Sequence, residues 1–209
     1  NILKQIGYIA PQTFYADLNI NDVQYTALLQ EKSAKELLEK SNFKDGPIFE
    51  GDESLIWGNA DHEAFFLEPI ALSRLTNPGW INSEYNKSII AVNALNRLQS
   101  AYQKYSSNSK NSHSIDWSIL TGDNSELISR WAQYEILLMS ANGLHALRPH
   151  NRKFYYNALL ESFEPIYFDG NTLVEGDSLK DWPDFSYFTL LDSIHFDQIK
   201  HQLLTIDIN

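Results

Sequence analysis

The sequence predicts an α+β fold, with a small β-containing part first and a mostly helical part after it. Three observations predict it. Thr13–Ile20 alternates apolar and polar residues and is followed by turn residues and a second apolar run, Val23–Leu29. Two later stretches carry apolar residues three and four apart. Two short apolar runs, Lys153–Asn157 and Phe163–Phe168, read as a hairpin embedded among the helices.

Each element has a local reason. Ile2, Leu3 and Ile6 read as the end of a helix stopped at Gly7, and Pro11 prevents its continuation. In the first strand Phe14, Ala16, Leu18 and Ile20 share a face, and Asn19, Asn21 and Asp22 supply the turn. Ser33 and Glu36 have capping-box spacing for a short helix through Lys40, ended by Lys44-Asp45-Gly46-Pro47. Residues 46–83 are broken by Gly and Pro and predict loops and short helices. Tyr85, Ile89, Val92, Leu95, Leu98, Tyr102 and Tyr105 form the stripe of a long helix. The polar run Ser106–Ser114 reads as a loop. Asp123 and Glu126 cap the next helix, whose stripe is Leu127, Trp131, Tyr134, Leu138 and Ala141 and whose end falls near Gly143. The tail has a Trp-Pro-Asp turn at 182–184 and a terminal helix with Phe196, Ile199 and Leu203. No internal repeat and no Gly- or Ser-rich linker is present.

Composition narrows the functions. The chain has 209 residues, 43% hydrophobic and 13% aromatic, which is enough for a real core and unlike a disordered chain. Its net charge of −11 argues against non-specific binding to nucleic acid or anionic membrane, while a basic peptide remains a possible partner. No apolar run reaches the ~20 residues of a membrane helix. The first residues, NILKQIGYIAPQ, lack the apolar core and cleavage site of a signal peptide, which leaves open a leader removed from a longer precursor. With no cysteine, disulfides and thiolate chemistry are excluded, and the redox compartment stays open.

The chemistry concentrates between His145 and Asn171. Kinase-fold enzymes place an Asp five residues before an Asn in a loop that follows a long helix, and a second Asp after the next strand hairpin. The first Asp accepts the proton of the attacking hydroxyl. The Asn oxygen and the second carboxylate hold Mg2+, which takes hard oxygen ligands and only one or two from protein. Here Ala146-Leu147-Arg148-Pro149-His150-Asn151 runs parallel to that loop, and Asp169-Gly170 follows the apolar Ile166-Tyr167-Phe168. The spacing points to Asn151 and Asp169 as a metal pair, with Ala146 where the base should be. The plainer alternative is a loop Asn and a hairpin-ending Asp-Gly.

Three segments carry a resemblance to the CotH family of atypical protein kinases, known from bacterial spore coats. Gly7–Pro11 with Phe14–Asn21 is similar to the family's first strand and turn. The returning strand ends at Glu31, where the family also carries a Glu near the interlobe hinge. HNRKFYY and FEPIYFDG resemble its catalytic-loop HN and its metal-binding segment. The likeness covers roughly residues 7–31 and 140–171. It implies a protein-kinase-like fold: a partial β-containing N-lobe at 1–45 and a mostly helical C-lobe at 46–209. It implies ATP and Mg2+ as cofactors, protein Ser/Thr hydroxyls as substrate, and a bacterial secreted or cell-surface setting. Asn151 and Asp169 would hold the metal, Glu31 and Arg148 would lie near the nucleotide, and His145 is the candidate replacement base.

The sequence departs from the family in two ways. No Asp lies between Glu135 and Asn151, and no glycine-rich loop or phosphate-binding Lys precedes the first hairpin. The alternatives are therefore a catalytically inactive kinase-like scaffold for a protein partner, or a kinase fold that transfers AMP or glutamate. Oligomeric state stays open.

Other residues weigh less. Arg148, Arg152 and Lys153 are the densest basic group and could meet phosphates, an acidic substrate or local carboxylates. His150 reads as a residue that shapes the loop. Asp61-His62-Glu63 lacks metal-site spacing and reads as a surface helix start, and His113, His195 and His201 are scattered. Asp177, Asp181 and Asp184 could position a second metal or a substrate amine, or form an acidic loop. Trp131 and Trp182 read as core. Hydrolase, Walker and dinucleotide fingerprints are missing.

Overall fold

Asn21 and Asp22 both adopt positive φ, 51° and 62°, the geometry of a tight hairpin turn. They fold Thr13–Ile20 (β1) back on Val23–Gln30 (β2), in a register that pairs Phe14 with Leu29 and Ile20 with Val23. The computed structural model describes residues 2–51, 73–107, 117–122, 124–147 and 151–172. Before the hairpin, Ile2–Gln5 (α1) stops at Gly7, whose φ is 86°. After it, Lys35–Lys40 (α2) ends where Asn42 turns left-handed, and Phe43 and Asn42 donate to Leu38 and Glu39. The helix ends at Lys40 as expected, and one detail differs: the N-cap of α2 is Ala34, with no side-chain bond, because Ser33 lies one residue too early and is buried.

The second sheet has the order β4-β3-β5-β6, all antiparallel. Its strands are Ile48–Glu50 (β3), Arg74–Leu75 (β4), Lys153–Asn157 (β5) and Ser162–Ile166 (β6). The expectation of loops and short helices over 46–83 holds at the 3-10 turn Ile81–Ser83 and is corrected at β3 and β4, while residues 52–72 lie outside the described ones. Asn77 anchors β3 by accepting from Ile48 N at 2.9 Å and donating to Gly46 O at 2.9 Å. Ile9 forms a parallel bridge to Ile166, and Tyr167 N donates to Ile9 O. The chain entering β1 and the chain leaving β6 therefore set out from that bridge in the same direction.

One face of this sheet packs against three helices: Tyr85–Ser107 (α3), Trp117–Thr121 (α4) and Ser125–Ser140 (α5). Phe49, Phe154, Tyr156 and Phe163 meet Ala94, Leu98, Ala101, Leu120, Trp131 and Ala132. The α3 stripe is rotated from the expected one. Tyr85, Ile89 and Val92 are exposed, while Ala91, Ala94, Leu98 and Ala101 are buried. Small side chains let the helix lie close to a sheet face that is already aromatic. Tyr102 and Tyr105 lie outside the described side chains. The opposite face carries Ile48, Tyr155 and Ile166 against Ile9, Leu37 and Leu38. Helix α5 buries Leu127, Trp131, Tyr134 and Leu138 as expected, but its cap is Asn124, which accepts from Glu126 N and Leu127 N. Asp123 and the tail from residue 173 onward, with its predicted turn and helix, lie outside the described residues. Among the described residues no helix is long and apolar enough to cross a membrane.

Three contacts tie the N-terminal segment to α5 and β6. Arg130 Nε donates to Glu164 Oε2 at 2.7 Å, its NH2 group donates to Gly7 O, and its guanidinium covers the Tyr8 ring. Burial pushes the Tyr8 hydroxyl up to about 12. A fourth contact closes the hairpin base. Glu31 accepts from Lys40 Nζ at 2.5 Å and from Gln12 N at 3.2 Å.

The hydrogen bond from Lys40 holds the Glu31 carboxyl below its ordinary 4.5. Its stabilising contribution is full above that pH and is lost as the pH falls through the lower folded value. In thermal melts taken down through pH 4.5, Glu31→Gln should show a shallower acid loss of stability than the native chain. Equal acid slopes would show that this pair contributes nothing in solution.

Candidate functional site

The site begins where α5 ends. Asn142 takes a left-handed φ of 52°, and Gly143 and Asn142 donate to Leu138 and Met139. The chain then forms a 3-10 turn over Leu144–Leu147. Within that turn His145 and Ala146 point differently. Ala146 is 2% exposed and packs with Leu3, Tyr8, Tyr134 and Leu138, while His145 is partly exposed. The position that sequence spacing assigns to a catalytic Asp therefore faces apolar core.

Of the roles expected for Arg152, the structure shows the pairing with a local carboxylate: it is buried, with NH2 2.7 Å from Glu135 Oε1 and Nε donating to Leu147 O at 3.0 Å. Glu135 sits on the buried side of α5 and is fully covered. A charge there needs a partner, and that was the signal available in the sequence. Arg152 fixes the chain on one side of Asn151 and, through Leu147, on the other.

Asn151 is buried and its Nδ2 donates to His145 O at 2.9 Å. Among the described residues none donates to its Oδ1. His145 Nδ1 lies 2.8 Å from the main-chain oxygen of Asp169 and 3.3 Å from its Oδ2. It also lies 2.9 Å from Asn151 Nδ2. A carbonyl oxygen only accepts and an amide nitrogen only donates, so these two contacts at Nδ1 belong to opposite tautomers of the ring. Asp169 and Asn171 have φ of 45° and 46°, so the irregular chain leaving β6 passes twice through the left-handed region. Gly170 between them lies under Tyr167, where a Cβ would come within 2.5 Å of the ring hydroxyl.

Three of the candidate residues thus converge: His145, Asn151 and Asp169. Glu31 is engaged elsewhere, both carboxylate oxygens and its N–H being used by Lys40 and Gln12. Arg148 and His150 lie outside the described residues, as do Asp61, His62, Glu63, His113, Asp177, Asp181, Trp182, Asp184, His195 and His201. Among the described residues no three His, Cys, Asp or Glu side chains gather as a metal site. The Asn151 amide oxygen and the half-exposed Asp169 carboxylate are nevertheless hard oxygen donors of the kind Mg2+ takes when phosphates complete its shell. A depression of about 270 Å3 on the β1–β2 hairpin, lined by Leu18, Asn19, Gln24 and Tyr25 among others, shares no residue with this cluster.

No protein-family model matches the chain, and no curated protein matches it.

Because Ala146 faces the core, Ala146→Asp should bury an unpaired carboxylate instead of supplying a base. Urea unfolding should show a loss of roughly 2–5 kcal/mol. An unchanged unfolding midpoint would place residue 146 at the surface and reopen it as a catalytic position.

Proposed function

We propose that this chain is a CotH-like, kinase-fold phosphotransferase domain that binds ATP with Mg2+ and acts on protein Ser or Thr hydroxyls. One observation carries the reading. His145, Asn151 and Asp169 meet across the end of the β5–β6 hairpin, with an amide oxygen and a carboxylate left for a hard cation. The β1–β2 hairpin preceding this part supports a reduced nucleotide lobe at 1–45 beside a C-lobe at 46–209.

In this reading Asn151 Oδ1 and Asp169 would hold the metal, which would neutralise phosphate charge. His145 would serve as base to the acceptor hydroxyl in the tautomer whose Nδ1 donates to Asp169 O, with Nε2 as the receiving atom. As the hydroxyl oxygen bonds to the γ-phosphorus, its proton passes to Nε2, the bridging P–O bond breaks and ADP leaves. Phosphoryl transfer rests mostly on positioning and electrostatics, so a His in place of the usual Asp is compatible with it.

The burial of Ala146 favours a second reading, a module that keeps the nucleotide site and serves as a scaffold for a protein partner. A secreted or surface setting belongs to the family resemblance alone.

Thermal shift with Mg-ATP tests the site. A ligand at ~100 times its Kd adds about 2.7 kcal/mol, so the native chain should melt higher. Asp169→Asn should fold normally, since Asn tolerates the left-handed φ, and should lose the shift. No shift at millimolar ATP would remove the nucleotide reading. Label moving from γ-phosphate to protein supports the kinase, label from α-phosphate supports AMP transfer, and a shift without transfer supports the scaffold. Transfer that survives Asp169→Asn would show the metal assignment to be wrong.

A further inference from the structure

We propose that Lys153 is an anion-binding residue of this site that contacts the terminal phosphates of a nucleoside triphosphate. The inference takes its ligand from the nucleotide reading above and adds a residue to it.

The sheet register sets Lys153 beside Glu50, and Glu50 beside Arg74. Three charged side chains thus cross β4, β3 and β5 in a row. Lys153 Nζ lies 2.8 Å from Glu50 Oε2, and Arg74 reaches Glu50 Oε1 through Nε at 3.2 Å and NH2 at 3.0 Å. Two cations share one carboxylate, so the row carries a positive excess in a chain whose net charge is −11.

The row borders the site. Lys153 pairs with Ile166, so β5 begins where β6 ends. Asn151 precedes Lys153 by two residues, and the intervening Arg152 turns inward to Glu135. Lys153 Nζ sits 3.7 Å from the ring centroid of Phe168, the residue directly before Asp169. The ammonium therefore stands near both chain ends that carry the candidate metal ligands.

Its bonding leaves capacity. An ammonium has three N–H donors. One is used by Glu50 and one side faces the Phe168 ring. No other described residue accepts from it. The side chain is only 11% exposed, so its stem is already ordered and little conformational entropy remains to be lost on contact. Glu50, divided between two cations, neutralises the ammonium only in part.

Isothermal titration of the whole chain with Mg-ATP and with inorganic tripolyphosphate tests this. Lys153→Met should weaken both by roughly tenfold or more, the scale of one charge-assisted hydrogen bond. Glu50→Gln breaks the same ion pair but should keep or tighten both affinities, because the ammonium is then less neutralised. The double variant removes both members of the covered pair, leaves only the half-exposed Arg74 without its carboxylate, and should show the Lys153→Met loss while folding as the native chain does. Equal affinities in all variants, or an equal loss in Lys153→Met and Glu50→Gln, would overturn the proposal and make the row purely structural. Mg-ATP binding that ignores Lys153→Met would overturn this inference and leave the nucleotide site standing. Tripolyphosphate binding that depends on Lys153, without ATP binding, would overturn the nucleotide as ligand in both readings and leave Lys153 an anion-binding residue only. No binding of either ligand by the native chain would overturn both.

Discussion

The buried pair between Arg152 and Glu135 is the constraint on which the candidate site depends. Both side chains are almost fully covered, and their atoms approach to 2.7 Å. Burying two charges costs several kcal/mol each, and close geometry with further hydrogen bonds must offset it. Arg152 gains such a bond from Leu147 O. Removing one partner of such a pair typically costs roughly 3–5 kcal/mol, since the other charge is left stranded. The pair is therefore best regarded as a clamp on local geometry. It fixes Leu147 and Arg152 to α5, and Asn151 lies between those two points. Strand alternation then turns Lys153 to the opposite face of the sheet, toward Glu50.

The remaining geometry follows from two left-handed residues, Asn142 and Asp169. Asn142 ends α5 and starts the 3-10 turn that presents His145 and buries Ala146. Asp169, left-handed in the irregular chain after β6, brings its main-chain oxygen to His145 Nδ1. A non-glycine residue in the left-handed region costs of order 1 kcal/mol or more, and Asn and Asp tolerate it best. At Asp169 a residue suited to that strain is also a candidate metal ligand.

Much of this was legible in the sequence where a local signal was strong. The Asn21-Asp22 turn and its flanking alternation located β1 and β2. The Leu127, Trp131, Tyr134 and Leu138 spacing located α5, and the grouping of His145, Asn151 and Asp169 followed from spacing. What stayed hidden depends on partners distant in sequence. Strand β3 has only three residues, too few for a period, and Asn77 helps to hold it. Helix α3 buries alanines because the opposing sheet face is aromatic, so its largest apolar residues misdirected the stripe. Arg152 and Lys153 are alike in sequence and opposite in role, because successive residues face opposite ways and only one meets Glu135. Asp123 and Asn124 are equivalent cap candidates by type, and the backbone register chose Asn124. The missing Asp at 146 looked like a vacancy in the site, whereas the turn places that side chain in the core.

The central claim is that one metal-nucleotide complex binds where His145, Asn151 and Asp169 meet. Nuclear magnetic resonance with Mn2+ in place of Mg2+, added with ATP, tests it most directly. The paramagnetic ion broadens nearby signals steeply with distance. The account predicts selective loss of the Asn151 side-chain amide and His145 ring signals, while the Trp131 indole N–H, bonded to Phe163 O inside the core, fades later. Broadening centred elsewhere, or none that depends on ATP, would contradict it.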